Sequence, residues 1–321
     1  MDDLRWKSGP EGAVAALSGE ALGVARGAVV RHALVIFNPT AGWRRRRRLD
    51  ATLRLLEEAG VTCQLAETRG RGDAEALARE AADAARPPSL VIAAGGDGTI
   101  NEVANGLSAG SAPPPLAILP LGTANVLAAE IGLATTPEAV AAAILGGRRL
   151  DVKVARANSR AFLLMAGAGF DAHVVEGVRP AVKRLLGKGA YVLETGRQML
   201  RFSFPRYRVT IDGKAYDAAS VVVARGRFYG GRHLAAPHAR LEADGFQVCL
   251  FEKGGRLAVL RYGAALLLGR LPRAAGYRIV PGRHVTVEGP AGDPVQADGD
   301  IIARLPVEID LAPRRLSLVV P

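Results

Sequence analysis

Two domains, the first an α/β fold on a doubly wound parallel sheet and the second mostly antiparallel β, are predicted from three observations. The chain has 321 residues, enough for two cores of ordinary size. Between Arg31 and Gly147, apolar strand-length runs alternate with helical patterns, which calls for a parallel sheet covered on both faces. Beyond Leu150, short runs with strand character dominate. A boundary is expected near Gly147 and Arg148, with residues 1–30 as an N-terminal extension, 31–147 as the α/β unit and 148–305 as the β-rich unit.

Along the chain, "ALVIFNP" from Ala33 reads as a strand and Arg44 to Ala59 as a helix. "VTCQLAE" is a second strand, Gly72 to Ala85 a second helix, and "SLVIAA" a third strand that leads into a helix from Thr99. "LAILPLG" is the fourth strand, a helix is expected from about Thr123, and Pro137 to Leu145 closes this half. The later strands are "DVKVARA", "FLLMAGA", "RYRVTIDGKAYDAASVVVARG", "FQVCLF", "HVTVEG" and "LSLVVP", with a hairpin at Asp212-Gly213. Helical patches interrupt them at Val182 to Met199 and Leu257 to Leu268, and the second of these is read as a buried core helix. No fixed-period repeat is visible.

Lys and Arg number 42 against 31 Asp and Glu, a net charge of +11 that suggests a nucleotide, nucleic acid or membrane surface as partner. Low aromatic content and the lack of a recognition fold argue against nucleic acid. Only Cys63 and Cys249 are present, far apart, which points away from a disulfide framework or zinc site and towards a reducing cytoplasm. The first 30 residues lack the basic and apolar regions of a secretory signal. The longest later apolar run, "YGAALLLG", falls short of the roughly 20 helical residues that span a bilayer, so membrane contact is expected from the side. The run "WRRRRRL", Trp43 to Leu49, reads either as a solvated helix face or as a patch for anionic lipid. Lys183, Arg184, Lys188, Arg225, Arg227 and Arg232 add to a basic surface without locating it. The five histidines show no metal spacing.

Three segments place special residues at the carboxyl ends of parallel strands, where open α/β sheets bind ligands. They are "NPTAG" at Asn38 to Gly42, "GGDGTINE" at Gly95 to Glu102, and "LPLGTAN" at Leu119 to Asn125. Glycines let backbone N–H groups face an anion, and the following helices offer their positive N-termini to phosphate. Thr99 and Glu102 also have capping-box spacing, which would make the second turn a well-built helix start and nothing more. That reading leaves three glycines around an acid unexplained. No P-loop, Gly-x-Ser-x-Gly elbow or His-Glu-x-x-His occurs, and "GAGFDA" at Gly167 to Ala172 mimics a dinucleotide fingerprint outside any βαβ context.

"GGDGTINEV", with "NPTAG" upstream and "PLGTAN" downstream, resembles the catalytic domain of the diacylglycerol kinase and sphingosine kinase family, in its soluble bacterial lipid kinase branch. The likeness continues through "GAGFDA", "YGG", "APHARLEADGFQVCLF" and "QADGD", covering roughly Ala33 to Pro321. It implies an ATP-binding first domain, a β-rich second domain that shapes a lipid cleft, and a final strand region, residues 306–321, that returns to complete the first. Carried over by residue, it places Asn38, Pro39, Thr40, Ala41, Gly42, Thr68, Gly96, Asp97, Gly98, Thr99, Ile100, Asn101, Glu102 and Thr123 around ATP. Asp97 and Asp171 are then expected to organise the Mg2+ of Mg-ATP. A second, structural Mg2+ is expected on the Asp244 carboxylate and the carbonyls of Leu241 and Phe246, close to His238.

The sequence departs from the family pattern at two points. The family's Asp-Gly-Glu, whose glutamate accepts the proton of the lipid hydroxyl, is here Asp298-Gly299-Asp300, so the base is either Asp300 or Asp298. Ala41 replaces a small hydroxyl residue in the first turn. The implied reaction is transfer of the γ-phosphate of ATP to a lipid hydroxyl, with diacylglycerol, sphingoid base, monoacylglycerol and ceramide-like acceptors all open. The partner is lipid at a membrane surface, met peripherally from the cytoplasm, and strand edges in the β-rich half leave a homodimer open as well. The competing readings are a kinase of NAD within the same wider fold and a non-catalytic binder of lipid or nucleotide.

Overall fold

The computed structural model describes residues 25–26, 30–39, 43–178 and 189–321. Thr40, Ala41, Gly42, Lys183, Arg184 and Lys188 lie outside the described residues. In the first half the order is β1 (Ala25–Arg26), β2 (His32–Phe37), α1 (Trp43–Glu58), β3 (Thr62–Glu67), α2 (Asp73–Asp83), β4 (Leu90–Gly95), α3 (Asp97–Ala109), β5 (Leu116–Pro120), α4 (Val126–Glu130) and α5 (Pro137–Gly146). Strands β2 to β5 are parallel in the order β3-β2-β4-β5. All six residues of β4 and all five of β5 are buried, which accounts for their unbroken apolar sequence. The crossover from β2 to β3 runs one way across the sheet, and those from β3 to β4 and β4 to β5 run the other. Right-handed connections therefore put α1 on one face and α2 with α3 on the opposite face. α2 packs on α3, and α1 on α5.

The second half contains β6 (Arg148–Ala157), β7 (Arg160–Phe162), β8 (Met165–Gly169), α6 (Phe170–Gly177), α7 (Gly189–Arg201), β9 (Tyr207–Ile211), β10 (Lys214–Ala218), β11 (Ser220–Ala224), β12 (Phe228–Tyr229), β13 (His233–Leu234), β14 (Phe246–Phe251), α8 (Arg256–Leu267), β15 (Tyr277–Gly282), β16 (Val285–Glu288), β17 (Pro294–Ala297), β18 (Asp300–Arg304) and β19 (Val307–Val319). An antiparallel sheet runs β15-β14-β11-β8-β17-β18. It faces β9, β16 and the start of β19 across a shared core: Val221, Val223, Val248 and Leu250 meet Val209, Ile211, Val285 and Val287. These are alternate residues on each strand, as a sandwich interior requires. The hairpin expected at Asp212-Gly213 joins β9 to β10 with φ of 46° and 83°, the left-handed pair that matches strand twist.

β19 pairs antiparallel with β6 and β16, and at Leu318 runs parallel to β5 of the first half. One eleven-stranded sheet therefore passes through both halves. Three expectations are corrected. α3 begins at Asp97, two residues before Thr99, and α4 begins at Val126 rather than at about Thr123. α8 is also not a buried core helix: Leu257, Leu260, Leu267 and the adjoining Leu268 are 57–71% exposed. No helix among the described residues is long and apolar enough to cross a membrane.

Candidate active site

β2 and β4 are adjacent but continue to opposite sides of the sheet, so their carboxyl ends flank a topological switch point. Asn38 follows β2 there and Gly95 ends β4. The backbone N–H of Asn38 donates to the Ala94 carbonyl (3.1 Å), and its Nδ2 donates to Thr99 Oγ1 (3.2 Å), joining the two turns. Thr68 is buried at the end of β3, and its N–H donates to the Phe37 carbonyl (2.8 Å). Gly96 caps α3 in extended backbone and, having no side chain, makes no side-chain capping hydrogen bond.

The third turn presses against the second. A Cβ on Gly122 would stand 2.6 Å from Gly96 Cα, and the Leu121 N–H donates to the Gly95 carbonyl (2.8 Å). Only glycine permits that approach. Asn125, at φ 48°, closes the turn by accepting from the Gly122 N–H (2.8 Å) and donating to the Gly122 carbonyl (3.0 Å). Thr123 and Pro39 are exposed on their turns, whereas Ile100 points into the core. The capping box does not form. Thr99 lies within the first turn of α3 and accepts from Asn38, while Glu102 Oε1 accepts the N–H of Gly72 (3.1 Å) from the loop before α2.

The five aspartates singled out in the sequence have different surroundings. Asp298, at φ 48° after β17, turns its carboxylate inward to accept from Asn101 Nδ2 (2.7 Å) and from the N–H groups of Leu163 (2.7 Å), Leu164 (3.0 Å) and Met165 (3.0 Å). Burial raises its pKa and these donors offset the rise in part. Asp300 opens β18 with its side chain 45% exposed. Its Oδ2 would be 3.1 Å from a Cβ on Gly98, and its Oδ1 is 3.7 Å from Arg71 Nη2. Asp300 thus hangs from the second half over the glycine turn of the first, beside a cleft of about 220 Å³ also lined by Arg71, Glu75, Glu102 and Arg160.

Asp97 and Asp171, expected to share an acidic network, each accept from donors of their own. Asp97 Oδ1 accepts the N–H of Leu127 (3.3 Å) at the start of α4, and burial pushes its pKa up against the pull of those amides. Asp171 accepts from Gln296 Nε2 (2.9 Å) beside the Tyr229 hydroxyl, and burial raises its pKa to about 6. Among the described residues no group of three or more His, Cys, Asp or Glu side chains is placed to hold a metal ion. The residues expected to form the structural Mg2+ loop have other partners. The Leu241 carbonyl accepts from Arg225 Nη2, the Asp244 carboxylate meets Lys153 Nζ (2.7 Å) and Arg315 Nη2 (3.3 Å), and Phe246 belongs to β14 opposite Gly282. A wider groove of about 460 Å³ over this loop, lined also by His238, shares no residue with the cleft at Asp300.

Three cleft residues were not anticipated. Arg71 follows β3 in "TRGRG", a basic, glycine-punctuated stretch at a strand's carboxyl end that could have been read as a phosphate contact. Arg160 forms a two-bond fork with Glu75 (3.1 and 2.8 Å), a contact across 85 residues that carries no local signal. A second bridge between the halves is the buried Glu130 at the end of α4, which accepts from Arg227 Nε (2.9 Å) and from the Arg227 N–H (2.8 Å). α4 therefore touches the glycine turn through Asp97 at one end and the β-rich half through Glu130 at the other.

This site, a glycine turn on a parallel sheet faced by a carboxylate from an antiparallel sandwich, belongs to a kinase: the chain is a member of the diacylglycerol kinase family. Residues 32–157 match the diacylglycerol kinase catalytic domain, and residues 164–320 match the YegS C-terminal NAD kinase beta sandwich-like domain. Among curated relatives, the diacylglycerol kinase of Bacillus subtilis is 29% identical, over 91% of this chain and 97% of its own. The Pseudomonas aeruginosa protein named "Probable lipid kinase YegS-like" is 30% identical, over 90% of this chain and 93% of its own. A crystal structure of a diacylglycerol kinase from Bacillus anthracis superposes with a TM-score of 0.74 at 25% identity, covering 92% of this chain and 99% of that one.

Proposed function

We propose that the protein transfers the γ-phosphate of Mg-ATP to the hydroxyl of a membrane lipid of the diacylglycerol class, with Asp300 as the proton acceptor. The observation that carries this reading is the half-exposed Asp300 carboxylate poised over the Gly96–Gly98 turn, in contrast to Asp298, whose oxygens already accept four hydrogen bonds. The N-terminus of α3, which carries a glycine cap, suits the phosphates, and Arg71 adds positive charge at the cleft mouth. Asp97 acts as a positioning residue that ties the glycine turn to α4.

Mg2+ accepts phosphate oxygens, water and one or two carboxylates as ligands, so an ion carried in on the nucleotide fits this cleft. Glu75 is held by Arg160 and Arg79, leaving Asp300 and Glu102 as the cleft carboxylates able to reach it. When bound, the ion neutralises charge on the transferring phosphoryl group. The chain's own part is to hold the phosphates, exclude competing contacts and take the lipid proton at Asp300.

The membrane contact is better supported at α7 and α8 than at the arginine run. Arg46 is spent on Asp50 (3.0 Å) and Glu67 (2.5 Å), and Arg48 on the carbonyls of Pro120 (3.1 Å) and Thr135. By contrast, Val192, Leu193 and Leu200 on α7 stand exposed as the α8 leucines do, and Arg256 joins the two helices by donating to the Met199 carbonyl (2.8 Å). Arg197, Arg201, Arg261 and Arg270 flank these leucines in sequence, a composition suited to an anionic bilayer surface. The test is transfer of labelled γ-phosphate to a panel of lipids in mixed micelles, with NAD included and Asp300→Ala as control. Labelling of diacylglycerol that is lost in the variant supports the reading; labelling of NAD alone, or equal labelling by the variant, overturns it.

A further inference from the structure

We infer that the loop from Ala239 to Phe246 is organised by the guanidinium of Arg225, a cation built into the chain, and that it binds no magnesium ion. Arg225 follows β11, where its N–H donates to the Leu164 carbonyl (2.7 Å). With 1% relative exposure, it is the largest fully buried side chain among the described residues. Its Nη1 donates to the carbonyls of Ala243 (3.1 Å) and Gly245 (3.4 Å), and its Nη2 to that of Leu241. Three carbonyls converging from one short loop are the kind of ligand a hard cation takes. Here a planar fork of N–H donors with a permanent charge takes them instead.

A magnesium ion on the Leu241 carbonyl would sit within a few ångströms of that guanidinium, which is itself buried, so water screens the repulsion only from the groove side. The neighbouring charges offer it no relief. Asp244 already meets Lys153 and Arg315, and Glu242 lies 3.8 Å from Arg240. Four cationic side chains thus surround two carboxylates. Burial lowers the Arg225 pKa to about 10, which leaves the group charged at neutral pH. Through Lys153 on β6 and Arg315 on β19, the same loop is fastened to the sheet that both halves share.

The inference stands whether or not the acceptor is a lipid, and it predicts that the nucleotide alone brings magnesium into this enzyme. The experiment follows thermal unfolding of the full chain without nucleotide, in EDTA and in millimolar MgCl2, with Mn2+ binding followed by electron paramagnetic resonance. Wild type is expected to unfold within about 1 °C of the same temperature in both solutions, and Asp244→Asn to bind as much Mn2+ as wild type. Arg225→Ala is expected to unfold about 5 °C lower or more, because three carbonyls lose a charged donor. If that variant does not fold, Arg225→Lys, which keeps the charge without the fork, is expected to show a smaller drop. A Mg2+-induced rise of several degrees in wild type that vanishes in Asp244→Asn would overturn the inference. So would an Arg225→Ala or Arg225→Lys protein that melts like wild type.

Discussion

Asp298 and Asp300 stand two residues apart, yet replacing each should damage the protein in opposite ways. Asp298→Ala removes the acceptor for the N–H groups of Leu163, Leu164 and Met165 and for Asn101 Nδ2. An unpaired buried donor costs about 1–3 kcal/mol, and removing a buried carboxylate returns part of that sum. A net loss of about 3–5 kcal/mol is expected, a large share of the stability of an ordinary domain. Asp300→Ala removes a half-exposed side chain whose nearest ionic partner is 3.7 Å away, so stability should change by no more than about 0.5 kcal/mol. Turnover should instead fall by roughly 10²- to 10⁴-fold, as for loss of a general base. Urea titration and labelled-phosphate transfer on both variants separate the two effects. A stable Asp298→Ala protein, or an Asp300→Ala enzyme with near-normal turnover, would refute the assignment of one residue to architecture and the other to chemistry.

Gly122→Ala would push a methyl group to 2.6 Å from Gly96 Cα. A loss of about 1–3 kcal/mol is expected, with a rise of about tenfold or more in KM for ATP, checked by thermal unfolding and initial rates. Asp171 is a carboxyl whose folded pKa, about 6, lies above its unfolded value, so its ionised form destabilises the fold in full above pH 6, and the penalty disappears as pH falls towards 4. Asp171→Asn should therefore gain stability over wild type at pH 7, up to about 3 kcal/mol, and the gain should shrink between pH 6 and 4 in urea titrations. A gain that is flat with pH would count against this. Leu193→Ser and Leu260→Ser should each weaken binding to anionic lipid vesicles by about tenfold in sedimentation assays, leaving the unfolding temperature unchanged.

The parallel sheet and the glycine turns at the ends of β4 and β5 were legible because each depends on local chemistry: unbroken apolar strands, and glycines where two backbones meet. The partners of Thr99 and Glu102 could not be read, because spacing alone offers only the capping-box alternative, whereas Asn38 and Gly72 arrive from distant segments. The division of roles between Asp298 and Asp300 was not readable, since it turns on which carboxylate faces Asn101 across 197 residues. Arg225 was read as part of a basic surface because arginine is seldom buried. The α8 leucines were read as core because the same spacing serves a helix packed on protein and one facing lipid.

The last strand also gives the fold an order in time. β19 meets β5 through a register that joins Leu318 to Leu116, partners about 200 residues apart in sequence. During synthesis the parallel sheet of the first half must wait with an open edge until nearly all of the β-rich half has left the ribosome. Closing so long a loop is slow, and the exposed edge of β5 is meanwhile a template for wrong pairings. A fragment cut at residue 157, where the catalytic-domain match ends, would carry β2 to β5 and still lack the strand that pairs with β5. Such a fragment should be prone to aggregation, and adding a peptide of the β19 sequence is a direct way to rescue it.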